Sequence, residues 1–136
     1  MARRLLTGIP IAEAQAAARR MSPHVLWCDP VCDRLREHLH LGHAVLIATG
    51  SCRLAIAEMV ANHFGPDAPL QVIGTELEED AGTLTGRLTG GNCIAENKAA
   101  RVGAWLDAAG QLGGWGYGNP PWDLPMLSLM QHRVML

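Results

Sequence analysis

The pattern of apolar and polar positions alternates between strand-like and helical segments. Residues 44–48 are a short run of small and branched apolar residues that is closed by Thr49, Gly50 and Ser51. This pattern predicts a strand buried on both faces and followed by a helix. In open α/β sheets, ligands bind beyond the carboxyl ends of the strands. Thr49 is therefore expected at a binding site, with its hydroxyl and nearby backbone N–H groups available to an anion.

The remaining elements follow from the same kind of pattern. Helices are predicted over residues 10–21 and 29–42, because apolar side chains recur there at helical spacing and a proline lies in the first turn. Ser51 is expected to cap a third helix. The rest of the chain is predicted to form a strand at 70–74, a hairpin within 75–91, a helix at 92–109, a strand at 114–118, a short helix and a last strand at 133–136.

Alternation of strands with helices of this length predicts the fold class. It indicates parallel pairing with right-handed crossovers, and hence an α/β sheet covered by helices. Three polar groups follow successive elements of this sheet, namely Thr49, Lys98 and the loop at 119–123. We expect them to converge at one edge of the sheet.

Composition narrows the class of partner. The chain has 136 residues, which suits one domain, and eleven Lys and Arg against thirteen Asp and Glu give a net charge of −2. The balance and the lack of a dense basic cluster predict no nucleic-acid partner and no membrane partner. The apolar runs are far shorter than the roughly 18 residues of a membrane span, and the start of the chain lacks an apolar core of signal-peptide length. A cytoplasmic location is expected.

Two groups of potential metal ligands have a spacing in the sequence that does not suit a metal site. Cys28 and Cys32 are four residues apart, and no second ligand pair follows at the distance of a zinc site. The offsets of His38, His40 and His43 do not place all three on one helix face. We interpret these histidines as surface residues near the end of a helix.

Acidic and aromatic residues near the predicted sheet edge have a structural interpretation as well. The acidic run at 76–80 is interpreted as a solvated face rather than a metal site. Trp115, Tyr117 and Trp122 are expected to pack against other elements, with a role in lining a pocket as the alternative.

Three segments in order carry a resemblance to a known family. They are "VLIATGS", "VIGTELEEDAGTLTGRLTGGNCIAENK" and "GYGNPPWDLPML". From about residue 20 onward the chain resembles phosphatases of the haloacid dehalogenase (HAD) superfamily, in the phosphoserine-phosphatase-like branch. The resemblance implies a HAD-like Rossmannoid parallel sheet flanked by helices, with the core at 43–136 and a remnant of a helical cap at 1–42.

The resemblance also implies a chemistry. In that family, a metal-bound Asp attacks a phosphoryl group and water then hydrolyses the aspartyl phosphate. Thr49 and Lys98 would be catalytic, and Thr49, Gly50 and Lys98 would bind the phosphate. Asp123 and Asn119 would hold Mg²⁺. The implied substrate is a small phosphorylated metabolite.

The chain departs from the family pattern at two places. Asn119 stands where a second acidic residue is usual, so an amide oxygen without charge would replace a carboxylate. No Asp-x-Asp-x-Thr motif follows an apolar strand, and Asp29 and Asp33 lie in a predicted helix. We therefore expect an incomplete phosphatase domain, weak or inactive, whose start is misplaced or whose gene is truncated. The alternatives are a non-catalytic module that binds phosphate or another protein, and an α/β domain that shares only the fold.

The absent motif has a structural consequence. In the family, the strand that carries it lies at the centre of the sheet, here between residues 44–48 and 114–118. Without this central first strand, two rows of backbone groups would remain unpaired. We expect a homo-oligomer or a separate N-terminal segment to complete the sheet.

Overall fold

The computed structural model describes residues 5–136, and residues 1–4, with the basic start of the chain, lie outside the described residues. The helices are α1 (Ile11–Met21), α2 (Asp29–His40), α3 (Arg53–Phe64), α4 (Ala95–Ala108) and α5 (Leu124–Leu127), with a 3₁₀ turn at Ser22–His24. The strands are β1 (Val45–Cys52), β2 (Leu70–Asp80), β3 (Thr83–Thr89), β4 (Trp115–Gly118) and β5 (His132–Met135). This element order is the predicted one except at 70–91, where two strands replace the predicted strand and hairpin.

The strands form two separate sheets in the described part of the chain. The first has the order β1-β2-β3, with β1 and β2 parallel and β3 antiparallel to β2. The second consists of β4 and β5, which are parallel. The fold is therefore mixed α/β with parallel pairs flanked by helices, as predicted. The predicted interruption between β1 and β4 is also present, since each of these strands pairs on one side only among residues 5–136.

The end of β1 differs from the prediction. The strand continues through Thr49 to Cys52, and α3 begins at Arg53 without a side-chain cap, so the prediction that Ser51 caps this helix was wrong. The strand is longer because of a contact between residues distant in sequence. Cys52 pairs with Thr75 of β2 after an irregularity in the register beyond Ala48. This pairing keeps the chain extended past its polar residues.

The burial of β1 also differs from the prediction. None of its eight residues is fully buried. The strand has helices beside it, but its free edge faces a cavity instead of another strand. The expectation of a strand buried on both faces was therefore wrong.

The segment at 70–91 is simpler than predicted. A single strand, β2, runs through both the predicted strand at 70–74 and the first half of the hairpin. Ala81 and Gly82 form the turn into β3 with positive φ values of 47° and 78°. Two successive positive φ values match the right-handed twist of a hairpin. The prediction of a hairpin within 75–91 is confirmed, and β3 forms an edge of the sheet.

The main core lies between α4, α5 and the sheets. Its buried members are Val102 and Leu106 of α4 and Met126 and Leu127 of α5, and Leu46 of β1 packs against them. The apolar stripe of α4 faces this cluster, as its periodicity predicts. The packing places α4 beside both β1 and α5.

The amino-terminal part of the described chain is joined to the first sheet. The N–H of Gly8 donates to the carbonyl of Leu84, and the N–H of Leu84 donates to the carbonyl of Ile9, each at 2.9 Å. Helix α1 lies on α3, with an ion pair of 2.8 Å between Arg19 and Glu58. The division into 1–42 and 43–136 stays a prediction. Among residues 5–136, no helix is long and apolar enough to cross a membrane.

Candidate phosphate-binding site

A shielded ion pair lies at the carboxyl end of β4. Lys98, in the second turn of α4, donates from Nζ to Oδ1 of Asp123 at 2.6 Å. The two side chains are only 9% and 17% exposed. Lys98 is the one lysine of the chain, since the other ten basic residues are arginines. The sequence places these two residues 25 positions apart, and their predicted convergence at one edge is observed.

The charge state of Asp123 follows from its surroundings. Burial raises the pKa of this carboxyl, but the hydrogen bond from Lys98, the N–H of Asn119 and the charge of Lys98 together lower it further than burial raises it. The pKa of Asp123 therefore lies below its usual value. The carboxylate stays ionised at neutral pH and pairs with the lysine as a full negative charge.

The loop before α5 presents this carboxylate. The N–H of Asn119 donates to Oδ2 of Asp123 at 2.9 Å, while Oδ1 accepts from Lys98. The peptide bond between Pro120 and Pro121 is cis. Asn119 itself is exposed. The two predicted metal ligands are therefore neighbours in one loop, and Asn119 contacts Asp123 through its backbone.

Thr49 and Gly50 lie in the second half of β1, and not after it as predicted. The Oγ1 of Thr49 accepts from the N–H of Ser51 at 3.1 Å. The carbonyl of Gly50 accepts from Oγ1 of Thr75 at 2.7 Å, and the same Oγ1 accepts from the N–H of Cys93 at 3.0 Å. Cys93 lies just before α4, so this relay ties the end of β1 to the helix that carries Lys98.

Thr75 is a positioning residue that the sequence did not reveal. It is 6% exposed, and its hydroxyl donates to one backbone group and accepts from another. Such a hydroxyl is stable inside a protein only when it is hydrogen-bonded. The available signal in the sequence was a threonine directly after a glycine, Gly74, in β2. Gly74 is required there because a Cβ on it would come too close to Thr49 and to the carbonyl of Ser51.

Clusters of metal-ligating side chains elsewhere in the described residues would indicate a further metal site. No cluster of three or more His, Cys, Asp or Glu side chains suited to a metal occurs within residues 5–136. In the acidic run, Glu76 pairs with Arg53 and Glu78 pairs with Arg87. Their partners agree with the interpretation of this run as a solvated face.

A cavity of about 720 Å³ separates β1 from β4. Its walls include Leu46 and Ile47 of β1, Gly116 and Tyr117 of β4, and the carboxylate-bearing Asp123. The cavity therefore runs between the two free strand edges toward the Lys98–Asp123 pair. Trp115 also lines it, together with the Tyr117 noted above, so the expectation that these two residues only pack was wrong.

Aromatic and imidazole groups lie at the other end of this cavity. Nε2 of His38 lies 3.0 Å from the hydroxyl of Tyr117, and its Nδ1 lies 2.9 Å from Nδ1 of His43. Burial lowers the pKa of His38, and the nearby His43 and Arg34 lower it further. His38 lies in the last turn of α2, so the prediction of histidines near a helix end is confirmed, although His38 is half-buried. Trp122, by contrast, is 64% exposed.

The structure thus brings together part of the predicted site. Lys98, Asp123 and the backbone of Asn119 are in direct contact. Thr49 and Gly50 are joined to the start of α4 through Thr75, and they make no direct hydrogen bond to Lys98 or Asp123 among those observed. The catalytic, phosphate-binding and metal-binding roles of these five residues stay predictions.

Comparison with known proteins places the chain in a family. A family model for haloacid dehalogenase-like hydrolases matches residues 1–128. The structure is similar to that of a protein of unknown function from Bordetella pertussis Tohama I, with 25% sequence identity and a TM-score of 0.77. It is also similar to a HAD family hydrolase from Salmonella enterica serovar Typhi, with 19% identity and a TM-score of 0.63, and this second likeness concerns the fold alone.

The chain is shorter than both of these proteins. It is covered to 91% and 93% by the two matches, but it spans only 57% and 42% of the length of the two solved chains. No curated protein matches it. The match to the family model covers nearly the whole chain and agrees with the observed α/β fold. We conclude that the chain belongs to the haloacid dehalogenase-like hydrolase family.

Proposed function

We propose that this chain forms the phosphate-binding part of a Mg²⁺-dependent phosphomonoester hydrolase and that it has weak or no activity by itself. The observation that carries the proposal is Lys98, a shielded lysine held beside a carboxylate at the carboxyl end of a parallel strand pair. Its substrate class would be small phosphorylated metabolites.

Lys98 suits a phosphoryl oxygen as its partner. An ammonium group has three donors, and one of them is used by Asp123. In a shielded site its charge is weakly screened, so its attraction for an anion is stronger than at the surface. A lysine acts as a compact point charge, which is how lysines commonly bind phosphate. The two remaining donors are therefore available to phosphoryl oxygens.

Thr49 and Gly50 support a second contact with the phosphate. The relay through Thr75 fixes the end of β1 relative to α4, which carries Lys98. A donor that is already fixed loses less conformational entropy when the anion binds than a mobile donor does. The hydroxyl of Thr49 accepts from Ser51, so its own hydrogen remains free to donate to a phosphoryl oxygen.

The residues present fit Mg²⁺ as a loosely held ion. Asp123 offers an ionised carboxylate and Asn119 an exposed amide, and both supply the oxygen donors that Mg²⁺ prefers. Mg²⁺ keeps several waters and is commonly held by one or two carboxylates. When bound, the ion would offset the negative charge of the phosphoryl group. One carboxylate gives less attraction than two, so weak metal affinity belongs to the proposal.

The expected activity is low because a suitable nucleophile is not evident among the described residues. Asp123 is the carboxylate that pairs with Lys98. Asp29 and Asp33 lie in α2, and Asp33 is exposed and pairs with Arg36. Loss of a nucleophile from a group that acts as a unit costs orders of magnitude in rate.

The test measures binding and turnover separately with the full chain. We would titrate inorganic phosphate with and without Mg²⁺, follow thermal unfolding, and assay phosphate release from p-nitrophenyl phosphate. Phosphate at 100 times its dissociation constant should stabilise the protein by about 2.7 kcal/mol. Lys98→Met should abolish this stabilisation. The matched control is Arg19→Met, which removes the cation of the Arg19–Glu58 pair between α1 and α3 and should leave phosphate binding unchanged.

The outcomes separate the candidate functions. Phosphate release that needs Mg²⁺ and is lost in Asp123→Asn would support a hydrolase. Stabilisation by phosphate without turnover would favour a non-catalytic phosphate-binding module, which the uncharged Asn119 amide also favours. Failure of phosphate to protect the folded chain, with or without Mg²⁺, would contradict both.

A further inference from the structure

We propose that Arg101 supplies the net positive charge that attracts a doubly charged phosphoryl group to the site of Lys98 and Asp123. This role rests on the proposed phosphate-binding function and adds to it the source of the attraction. Arg101 lies in α4, three residues after Lys98, and no motif in the sequence singled it out.

The ion pair at this site has no net charge by itself. Lys98 carries one positive charge, the ionised Asp123 carries one negative charge, and the two groups are in direct contact at 2.6 Å. Such a pair attracts an approaching anion much less than a free lysine does, because the two charges act in opposite directions. Before Mg²⁺ binds, a phosphoryl dianion therefore needs a further cation from the protein.

Arg101 is a cation whose charge is not cancelled by a carboxylate. Its Nη2 donates to the carbonyls of Gly90 and Gly91 at 3.1 Å each, and its Nη1 donates to the carbonyl of Gly74. Among residues 5–136 it forms no ion pair with an acidic side chain. Neutral carbonyls satisfy the hydrogen bonds of a guanidinium and leave its charge in place. The three carbonyls therefore hold a full positive charge at one position.

Arg101 lies beside both predicted phosphate contacts. Residues three apart on a helix are neighbours on its surface, so Arg101 is next to Lys98. Gly74 connects it to Thr49, since a Cβ on Gly74 would lie 2.9 Å from Cγ2 of Thr49. Arg101 is half-buried, so solvent screens its charge less than at the surface. A charge in this position acts on an anion held between Lys98 and Thr49.

The charges on α4 favour an anionic ligand over a neutral one. Like charges on neighbouring positions of a helix repel each other, as Lys98 and Arg101 do here. Asp123 contacts only Lys98 of these two cations, and the three groups together leave a net charge of +1. An anion that binds beside both cations relieves their repulsion. The dianion of a phosphomonoester gains more from this arrangement than a singly charged ligand does.

The experiment measures binding of inorganic phosphate to the full chain without Mg²⁺. Arg101→Gln removes the charge and keeps an amide that can donate to a carbonyl, whereas Arg101→Lys keeps the charge. The matched control is Arg133→Gln, because Arg133 on β5 also bonds to carbonyls, those of Met130 and Ser128, among the described residues. Isothermal titration calorimetry gives each dissociation constant at low and at high NaCl concentration.

We expect Arg101→Gln to bind phosphate about tenfold more weakly than the wild type, because a weakly screened charge is lost. Arg101→Lys and Arg133→Gln should stay within about threefold of the wild type, since the first keeps the charge and the second lies outside the site. The affinity of the wild type should fall more steeply with NaCl than that of Arg101→Gln, because salt screens charge. A residue that only holds the 90–93 segment in place would not change this salt dependence.

A second pair of variants keeps the test decisive if Arg101→Gln does not fold. Asn97 donates to the carbonyl of Gly90 at 3.0 Å, as Arg101 also does, so its side chain lies beside the guanidinium. Asn97→Asp would give Arg101 the carboxylate partner that it lacks, and Asn97→Ala removes the same amide hydrogen bonds without adding a charge. We expect Asn97→Asp to bind phosphate about fivefold more weakly than Asn97→Ala.

Three results would overturn the proposal. Equal affinity of Arg101→Gln and the wild type, or of Asn97→Asp and Asn97→Ala, would show that the charge is not used. Equal losses in Arg101→Gln and Arg101→Lys would show that Arg101 acts through its carbonyl contacts alone. In both cases the wild type still binds phosphate, so the proposed function stands. Absence of phosphate binding to a wild-type chain with the near-ultraviolet circular dichroism of a folded protein would overturn this role and the proposed function together.

Discussion

The two sheets of this molecule are held together in different ways. The first contains β2, an eleven-residue strand that pairs on both sides, and its β3 edge is hydrogen-bonded to Gly8 and Ile9. The second contains two strands of four residues each. A pair of strands is only marginally stable without packing against other elements. The second sheet therefore depends on side chains that helices bring to it.

Three contacts illustrate this dependence. Leu127 packs against the second sheet beside Gly116. Lys98 of α4 holds the loop after β4 through Asp123, and His38 of α2 contacts Tyr117 of β4. The comparison teaches that a sheet interrupted at its centre divides into a part stabilised by its backbone ladder and a part stabilised by side chains. Changes at these contacts should expose the second sheet selectively.

The largest effect is expected from Leu127→Ala. Leu127 is 2% exposed, and removal of a buried leucine side chain costs about 2–5 kcal/mol. Urea denaturation would measure this loss in the free energy of unfolding. Hydrogen exchange should show that amides of β4 and β5 lose protection first, while those of β2 and β3 keep it.

Leu84→Ala is the matched control for this change. Leu84 of β3 is also 2% exposed, so the loss in free energy of unfolding should be similar. Its exchange pattern should differ: the amides of the β2–β3 hairpin should lose protection together with those of the rest of the molecule. Identical exchange patterns for the two variants would show that the sheets unfold together and would break the comparison.

A smaller effect is expected from Lys98→Met. This change leaves Oδ1 of Asp123, whose side chain is 17% exposed, without its cationic partner, and a shielded polar atom that loses its partner costs about 1–3 kcal/mol. Because the pKa of Asp123 is lowered in the folded protein, the stability from this pair is present above the ordinary carboxyl value of about 3.9 and disappears as the pH falls through the folded pKa. Chemical denaturation at several pH values checks both statements.

Arg34→Met provides the contrast for that variant. Arg34 and Glu37 form a pair whose side chains are 54% and 53% exposed, and such surface pairs contribute about 0–1 kcal/mol. A loss at Arg34 as large as that at Lys98 would mean that shielding does not distinguish the two pairs.

The smallest effect is expected from protonation of His38. Burial, His43 and Arg34 lower its pKa below the ordinary value, so the unfolded chain binds a proton at a higher pH than the folded chain does. Stability should therefore decrease as the pH falls through about 6.5. We would compare the free energy of unfolding at about pH 7.5 and about pH 5.5 in the wild type and in His38→Gln. A decrease that is just as large in His38→Gln would assign the pH dependence to other groups.

Local pattern was enough to predict much of the fold. The apolar stripe with Val102 and Leu106 indicated α4, and the alternation of strands and helices indicated parallel pairing. Topology then predicted that Lys98 and Asp123 would meet, because groups that follow neighbouring elements of one sheet lie at one edge. These predictions depend on short-range periodicity and on chain connectivity, both of which are visible in a sequence.

The remaining features depend on pairings between distant residues. β1 extends through Thr49 to Cys52 because Cys52 finds a partner in β2, which no local signal at Ser51 reveals. The hydroxyl of Thr75 joins Gly50 to the N–H before α4, and His38 meets Tyr117, 79 positions away. The side chains alone do not predict such contacts, since their partners are set by how the elements pack.

The single lysine of this chain has a practical consequence for chemical labelling. A reagent that acylates side-chain amines has one target, Lys98, whose ammonium is held by Asp123 and largely covered. Acylation requires an exposed, deprotonated amine, so the rate at which Lys98 is modified reports how often this ion pair opens. Mass spectrometry of the peptide that contains Lys98 separates this modification from that of the α-amino group and would thus follow the opening of one chosen contact without any engineered probe.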